Sequence, residues 1–284
     1  FILFSKKIKK QFFCLIYGSL FLFFLASQAW ALTVRINPAK IRSVIPPGSS
    51  KSGQITLTNT SDKEAKVVVY LEDWKYVAPM DGTKDFAAAG TFEHSACSWI
   101  NFSPNEINIP PFATQDVSYS ISVPEGAEGT HFAIMFFESD LGGVVTEKGE
   151  TAMAKIRAGA LFFVDPQGTI QRKTVINDTA VTNETGGIKI NAKLKNSGNS
   201  DIIASGTFDI IDDEGNVYGR GKFKDIYTFP GSIAEISGSC PENLKEGKYD
   251  IIITLRVESG DTIIMEPQIT IGPDGNVLKV ANQS

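Results

Sequence analysis

The chain has 284 residues and a formal net charge of −5, from 27 basic and 32 acidic side chains. That balance excludes the cationic surface with which nucleic-acid binders displace counterions from phosphate, and it leaves no basic stripe for an anionic membrane surface. The only two histidines are His94 and His131, which leaves little material for a metal centre or for a nucleophile with its base.

The first segment reads as an export signal. Lys6, Lys7, Lys9 and Lys10 precede an apolar run from Phe12 to Ala26, and Ala29-Trp30-Ala31 places small residues where a signal peptidase cleaves. The run is shorter than the ~20 apolar residues of a membrane span, so cleavage after Ala31 is expected instead of a retained anchor. Loss of the segment's four lysines takes the charge from −5 to −9. No later stretch reaches spanning length, and no membrane association is expected after cleavage.

Strand signals then follow one another, with turn residues between them. Ile55 and Leu57 alternate with Gln54, Thr56 and Thr58, and Val117, Tyr119, Ile121 and Val123 alternate with serines. A period of two with one polar face is the mark of a strand that buries one side. Val67, Val69 and Leu71 sit in a β-branched run from Ala65 to Trp74, and His131–Glu138 and Ala158–Val164 are denser apolar runs. Asp165-Pro166-Gln167-Gly168 punctuates the middle of the chain. A second series follows at Gly187–Leu194, Ile202–Ile211, Val217–Phe223, Ile233–Ser237, Tyr249–Val257 and Thr262–Ile271. The pattern predicts an all-β protein of two immunoglobulin-like β-sandwich domains in tandem. Residues 1–31 are the signal, 32–166 the first domain, 167–273 the second and 274–284 a flexible tail.

The two halves echo each other. Leu57-Thr58-Asn59-Thr60-Ser61 is answered by Leu194-Lys195-Asn196-Ser197-Gly198, each ending a strand at an asparagine suited to a tight turn. Tyr249, after Leu244 and Gly247-Lys248, has the setting of a tyrosine corner, in which the hydroxyl returns to upstream backbone. Trp74 and Trp99 are expected in packing roles.

Chemistry is sparse. Cys97 and His94 are three residues apart in a polar stretch with no third group to orient a base, so no catalytic residue is assigned and no enzyme is expected. No metal-ligand spacing occurs, and no cofactor is expected. Export makes a Cys97–Cys240 disulfide chemically allowed, but the two thiols fall in different predicted domains.

Several spaced motifs carry a resemblance. Arg42-Ser43-Val44-Ile45-Pro46-Pro47-Gly48 is followed by Ile55-Thr56-Leu57-Thr58-Asn59. Val123-Pro124-Glu125-Gly126 precedes the strand through Phe137, and Ala160-Leu161-Phe162-Phe163-Val164-Asp165-Pro166 ends the half. In this order, residues 33–165 resemble the amino-terminal domain of PapD-like periplasmic pilus-assembly chaperones. The resemblance implies a donor strand that adds to a partner's sheet, with an arginine and a lysine in the inter-domain cleft holding the partner's terminal carboxylate. Arg42 stands at the arginine position, while Leu161 stands at that of the lysine, with Lys155 and Arg157 nearby.

The combined reading is an exported, chaperone-like, protein-binding module of the periplasm, or else a secreted or cell-surface protein. It would capture an exported pilin-like or surface subunit by edge-strand addition. The alternative is a structural envelope or surface-assembly module without chaperone activity. Partner-binding residues are expected at Arg42, Val144, Val145, Met153, Lys155 and Arg157.

Overall fold

Among the described residues, ten strands build the first half: β1 (Val34–Asn37), β2 (Lys40–Ile45), β3 (Ser50–Asn59), β4 (Ala65–Tyr76), β5 (Lys84–Ala88), β6 (Ile100–Ser103), β7 (Glu106–Ile109), β8 (Thr114–Ser122), β9 (His131–Val145) and β10 (Thr151–Pro166). Nine build the second: β11 (Thr174–Glu184), β12 (Gly187–Asn196), β13 (Ile202–Asp212), β14 (Val217–Thr228), β15 (Ile233–Cys240), β16 (Gly247–Val257), β17 (Thr262–Met265), β18 (Gln268–Ile271) and β19 (Val277–Ala281). This computed structural model describes residues 34–145, 151–184 and 187–281, without the side chains of 141–145, 151–154, 176, 177 and 183. The export signal predicted over 1–31 lies outside the described residues.

Each half is a sandwich of two sheets. In the first, β1-β3-β8-β6 faces β2-β10-β9-β4-β5, with β7 also on β4. In the second, β11-β12-β15 faces β14-β13-β16-β18-β19, with β17 also on β16. The period-two pattern has its expected outcome: Ile55, Leu57, Val117 and Ile121 are fully buried in the first core. Ile190, Leu194, Ile210, Ile251 and Ile253 fill the second.

The dense apolar runs bury both faces. On β9, Ala133, Met135 and Phe137 enter the first core, while Phe132, Ile134 and Phe136 face the other way into a separate aromatic cluster. On β10, Ala160, Phe162 and Val164 point inward and Phe163 outward. The outward cluster closes on the second sandwich. Trp74 meets Phe163 and Phe229 edge-on at ring distances of 5.3 and 5.1 Å, and Phe132 packs on Phe229 at 4.0 Å. The Trp74 indole N–H donates to the Ala133 carbonyl at 3.0 Å. Strands covered on both sides need apolar side chains at successive positions, which is why these runs lack alternation.

Two expectations need correcting, and one strand comes in addition. Thr262–Ile271 is two strands: Pro267 has no N–H to give, and the chain re-pairs from β17 to β18 on either side of it. Residues 277–281, expected in a flexible tail, form β19 and pair antiparallel with β18. Strand β11 was not expected. Its period breaks where the register shifts between Asn177 and Ala180, at an Asp178 with φ 55°.

Candidate functional site

The longest strand, β10, is paired unequally along its two edges. Its whole length from Thr151 to Val164 pairs antiparallel with β9. On the other edge only Leu161–Pro166 are covered, by β2 running parallel. Among the described residues no strand covers Thr151–Ala160 on that side. The Leu161 N–H donates toward the β2 side, to the Ala39 carbonyl at 3.0 Å. By the two-residue repeat of a strand, the backbone N–H groups of Lys155, Arg157 and Gly159 face the same, open edge. An uncovered row of backbone donors and acceptors is a template for another strand.

Charges and rings sit on the outward face beside this edge. Lys155 pairs with Glu138 at 2.7 Å and with Asp140 at 3.8 Å. The Tyr70 hydroxyl also donates to Glu138 at 3.0 Å. The Lys155 and Tyr70 bonds hold the Glu138 carboxyl below the usual carboxylate range. The Arg157 guanidinium lies 4.2 Å from the centre of the Phe136 ring and 5.3 Å from that of Phe86, and reaches Glu72 at 3.5 Å. Ile156 and Ala158, on the other face, are half-buried. Strand register sets Val144 opposite Ala152, Val145 opposite Thr151 and Met153 opposite Gly143. The side chains of Val144, Val145 and Met153 lie outside the described residues.

Arg42 stands apart from that group, at the junction of the two sandwiches. Strand β2 places it beside Phe163 of β10, with its guanidinium 4.5 Å from that ring centre. Its Nη1 donates to both carboxylate oxygens of Asp165, at 3.2 and 3.0 Å. Its Nη2 donates to Asp201, from the second sandwich, at 2.5 Å. The Thr130 hydroxyl donates to Asp165 at 2.6 Å and shares a hydrogen bond of 2.7 Å with Ser200. The Thr130 N–H donates to the Asn199 carbonyl at 2.9 Å. Burial pushes the Asp201 carboxyl up, against the pull of Arg42. Burial works to lower the Arg42 pKa, and the attraction of Asp201 and Asp165 outweighs it, so the net shift is upward. Breaking such a pair by removing one partner costs about 3–5 kcal/mol, because a buried charge is left uncompensated.

Sequence reasoning found Arg42 but not its partners. Asp165 sits in a dipeptide that reads as a hinge, and Asp201 follows a polar turn with no periodic signal. Leu161, at the position of the family's lysine, packs half-buried against the aromatic cluster.

The Cys97–His94 pairing does not form. The Cys97 thiol donates instead to the buried Asp73 carboxylate at 3.1 Å, which also accepts from the Ser95 hydroxyl and the Phe92 N–H. Burial and that carboxylate push the thiol up to about 12, the reverse of what a nucleophilic cysteine needs. His131 stacks on Trp99 at 4.0 Å, a packing role for both. Cys97 and Cys240 are separate free thiols in different cores. Among the described residues no cluster of three metal-ligating side chains occurs.

No protein-family model matches the chain, and no curated protein does. Solved structures do. One is a chaperone–tip adhesin complex of CFA/I fimbriae biogenesis, 12% identical, TM-score 0.47, covering 83% of this chain and 98% of that one. Another is a class 5 fimbriae chaperone, 14% identical, TM-score 0.45, covering 82% and 98%. A third is a chaperone–tip adhesion subunit pre-assembly complex from the archaic chaperone-usher Csu pili of Acinetobacter baumannii, 16% identical, TM-score 0.43, covering 83% and 98%. All three descriptions are of pilus or fimbrial chaperones, alone or with a tip subunit.

Proposed function

We propose that this is an exported, chaperone-like binding protein of the periplasm that holds an exported pilin-like or surface subunit by strand addition along the open edge of β10. The observation that carries the reading is the one-sided pairing of Thr151–Ala160, next to a stretch whose other edge β2 already fills. A strand laid there continues the sheet in line with β2, and its main-chain hydrogen bonds supply affinity with little demand on sequence. Alanine at positions 152, 154 and 158 keeps the side-chain bulk along this stretch of the sequence small. Lys155 and Arg157 guard the edge of the free protein, since charged edge residues discourage indiscriminate pairing. The aromatic cluster between the sandwiches packs on Phe132, Ile134 and Phe136 of β9 and on Leu161 and Phe163 of β10, next to the open stretch. The chaperones in the solved structures, described in complex with tip subunits, support the same kind of partner.

Proline at position 157 tests this. It removes an outward-facing N–H and leaves the β9 ladder intact, as proline does on edge strands. Tagged Arg157→Pro protein is compared with Arg157→Ala, which loses the same side chain but keeps the N–H. Strand addition predicts that a subunit recovered from the envelope fraction with wild type and Arg157→Ala is lost with Arg157→Pro. Equal recovery with both variants argues for a structural module that binds elsewhere.

A further inference from the structure

The junction carries three cations and four carboxylates. Arg42 is paired with Asp165 and Asp201, Lys40 reaches Glu258 at 2.5 Å, and Arg172 lies 3.9 Å from Asp165 and 3.8 Å from Asp261. Every cation is engaged, and one negative charge is in excess. The Asp165 and Asp201 side chains are only 5% and 2% exposed, and that of Arg42 is 26% exposed. Both Nη atoms of the guanidinium, the fork that would grip an incoming carboxylate, already donate to internal ones. A second anion brought to this point would meet two carboxylates at close range, with both Nη atoms already committed to them.

We propose that Asp165 and Asp201 occupy Arg42 as internal substitutes and close the junction to carboxylates, so that a partner lying along β10 is not held there by its carboxyl terminus. Arg42 is then a positioning residue that ties β2 and the end of β10 to the second sandwich. The partner segment that fits is an internal or amino-terminal stretch, read by its backbone at the open edge. This rests on the strand-addition reading only for the existence of the partner; the charge arrangement at Arg42 stands apart from it.

The test uses N-acetylglycine as a chain-end mimic and glycinamide as the uncharged control. The Arg42 side-chain N–H resonance is followed by NMR in the whole mature protein, in wild type and in Asp201→Asn, with Asp165→Asn as a second variant should the first unfold. Wild type should show no saturable shift. Freeing one arm of the guanidinium should create a site, with a gain in apparent affinity for the mimic of about tenfold or more. A saturable shift in wild type with N-acetylglycine and not with glycinamide overturns the proposal. So does the absence of any shift in both folded variants, since the internal carboxylates would then not be what closes the site. Neither result depends on whether strand addition occurs.

Discussion

Asn59 and Asn196 do the same work in the two sandwiches. Each is fully buried at the end of its strand. The Asn59 side-chain oxygen accepts from the N–H two residues on, at 3.0 Å, and its amide donates to the Lys63 carbonyl four residues on, at 2.6 Å. Asn196 repeats both bonds, to the Gly198 N–H at 3.1 Å and the Ser200 carbonyl at 2.8 Å. The backbone N–H of each donates within its own sheet, to the carbonyl just before the neighbouring strand, at Ala113 and at Ser232, both at 2.9 Å. One asparagine thus satisfies both a donor and an acceptor of its turn backbone. At Asn196 that turn leads through Ser200 to Asp201, so the second turn sets one partner of Arg42.

Asn59→Ala and Asn196→Ala should each cost roughly 2–3 kcal/mol, because buried carbonyl and N–H groups lose their partners. Urea unfolding should show a lower midpoint at unchanged slope for each. Only Asn196→Ala should also disturb the Arg42 resonance.

The Tyr249 hydroxyl donates to the Lys245 carbonyl at 3.1 Å, closing the corner expected from Gly247-Lys248-Tyr249. Tyr249→Phe keeps the ring and drops the bond, and should lower stability by about 1 kcal/mol in the same unfolding measurement.

Stability should depend on pH through His131. Burial lowers its pKa from 6.5, with the nearby His94 adding to the effect and the Gly129 carbonyl opposing it. A base with a depressed folded pKa binds protons more readily when unfolded, so the stabilisation is full above pH 6.5 and is lost as pH falls toward the folded value. His131→Phe, which retains stacking on Trp99, should flatten thermal midpoints between pH 7 and about 5 relative to wild type.

Cys97 and Cys240 should both be silent in the folded protein. With Cys97 pushed up to about 12 and Cys240 buried, a thiol reagent at neutral pH should label neither, and should label both after unfolding. Reductant should leave the thermal midpoint unchanged, whereas a shift would reveal a disulfide.

The sandwich class was legible because alternation, turn residues and the Asn59/Asn196 echo all pointed one way. The runs at His131–Glu138 and Ala158–Val164 were legible as dense apolar strands, though not that both their faces are buried, the second against the other sandwich. Strand β11 escaped notice because Thr-Val-Ile-Asn-Asp-Thr-Ala-Val is half polar and interrupted by a bulge. At the site, the position of Arg42 was readable and its state was not. Whether a guanidinium is free depends on Asp201, distant in sequence and marked by no local pattern.

The central claim is that the uncovered half of β10 receives a strand. The direct measurement is residue-resolved amide hydrogen exchange on the protein, free and in complex with a subunit recovered with it from an envelope fraction. Strand addition predicts that the N–H groups of Lys155, Arg157 and Gly159 exchange rapidly in the free protein and become strongly protected in the complex, while those of Ile156 and Ala158, already paired with β9, change little. Protection confined to other surfaces, with Arg157 and Gly159 still exchanging rapidly in the complex, would contradict it.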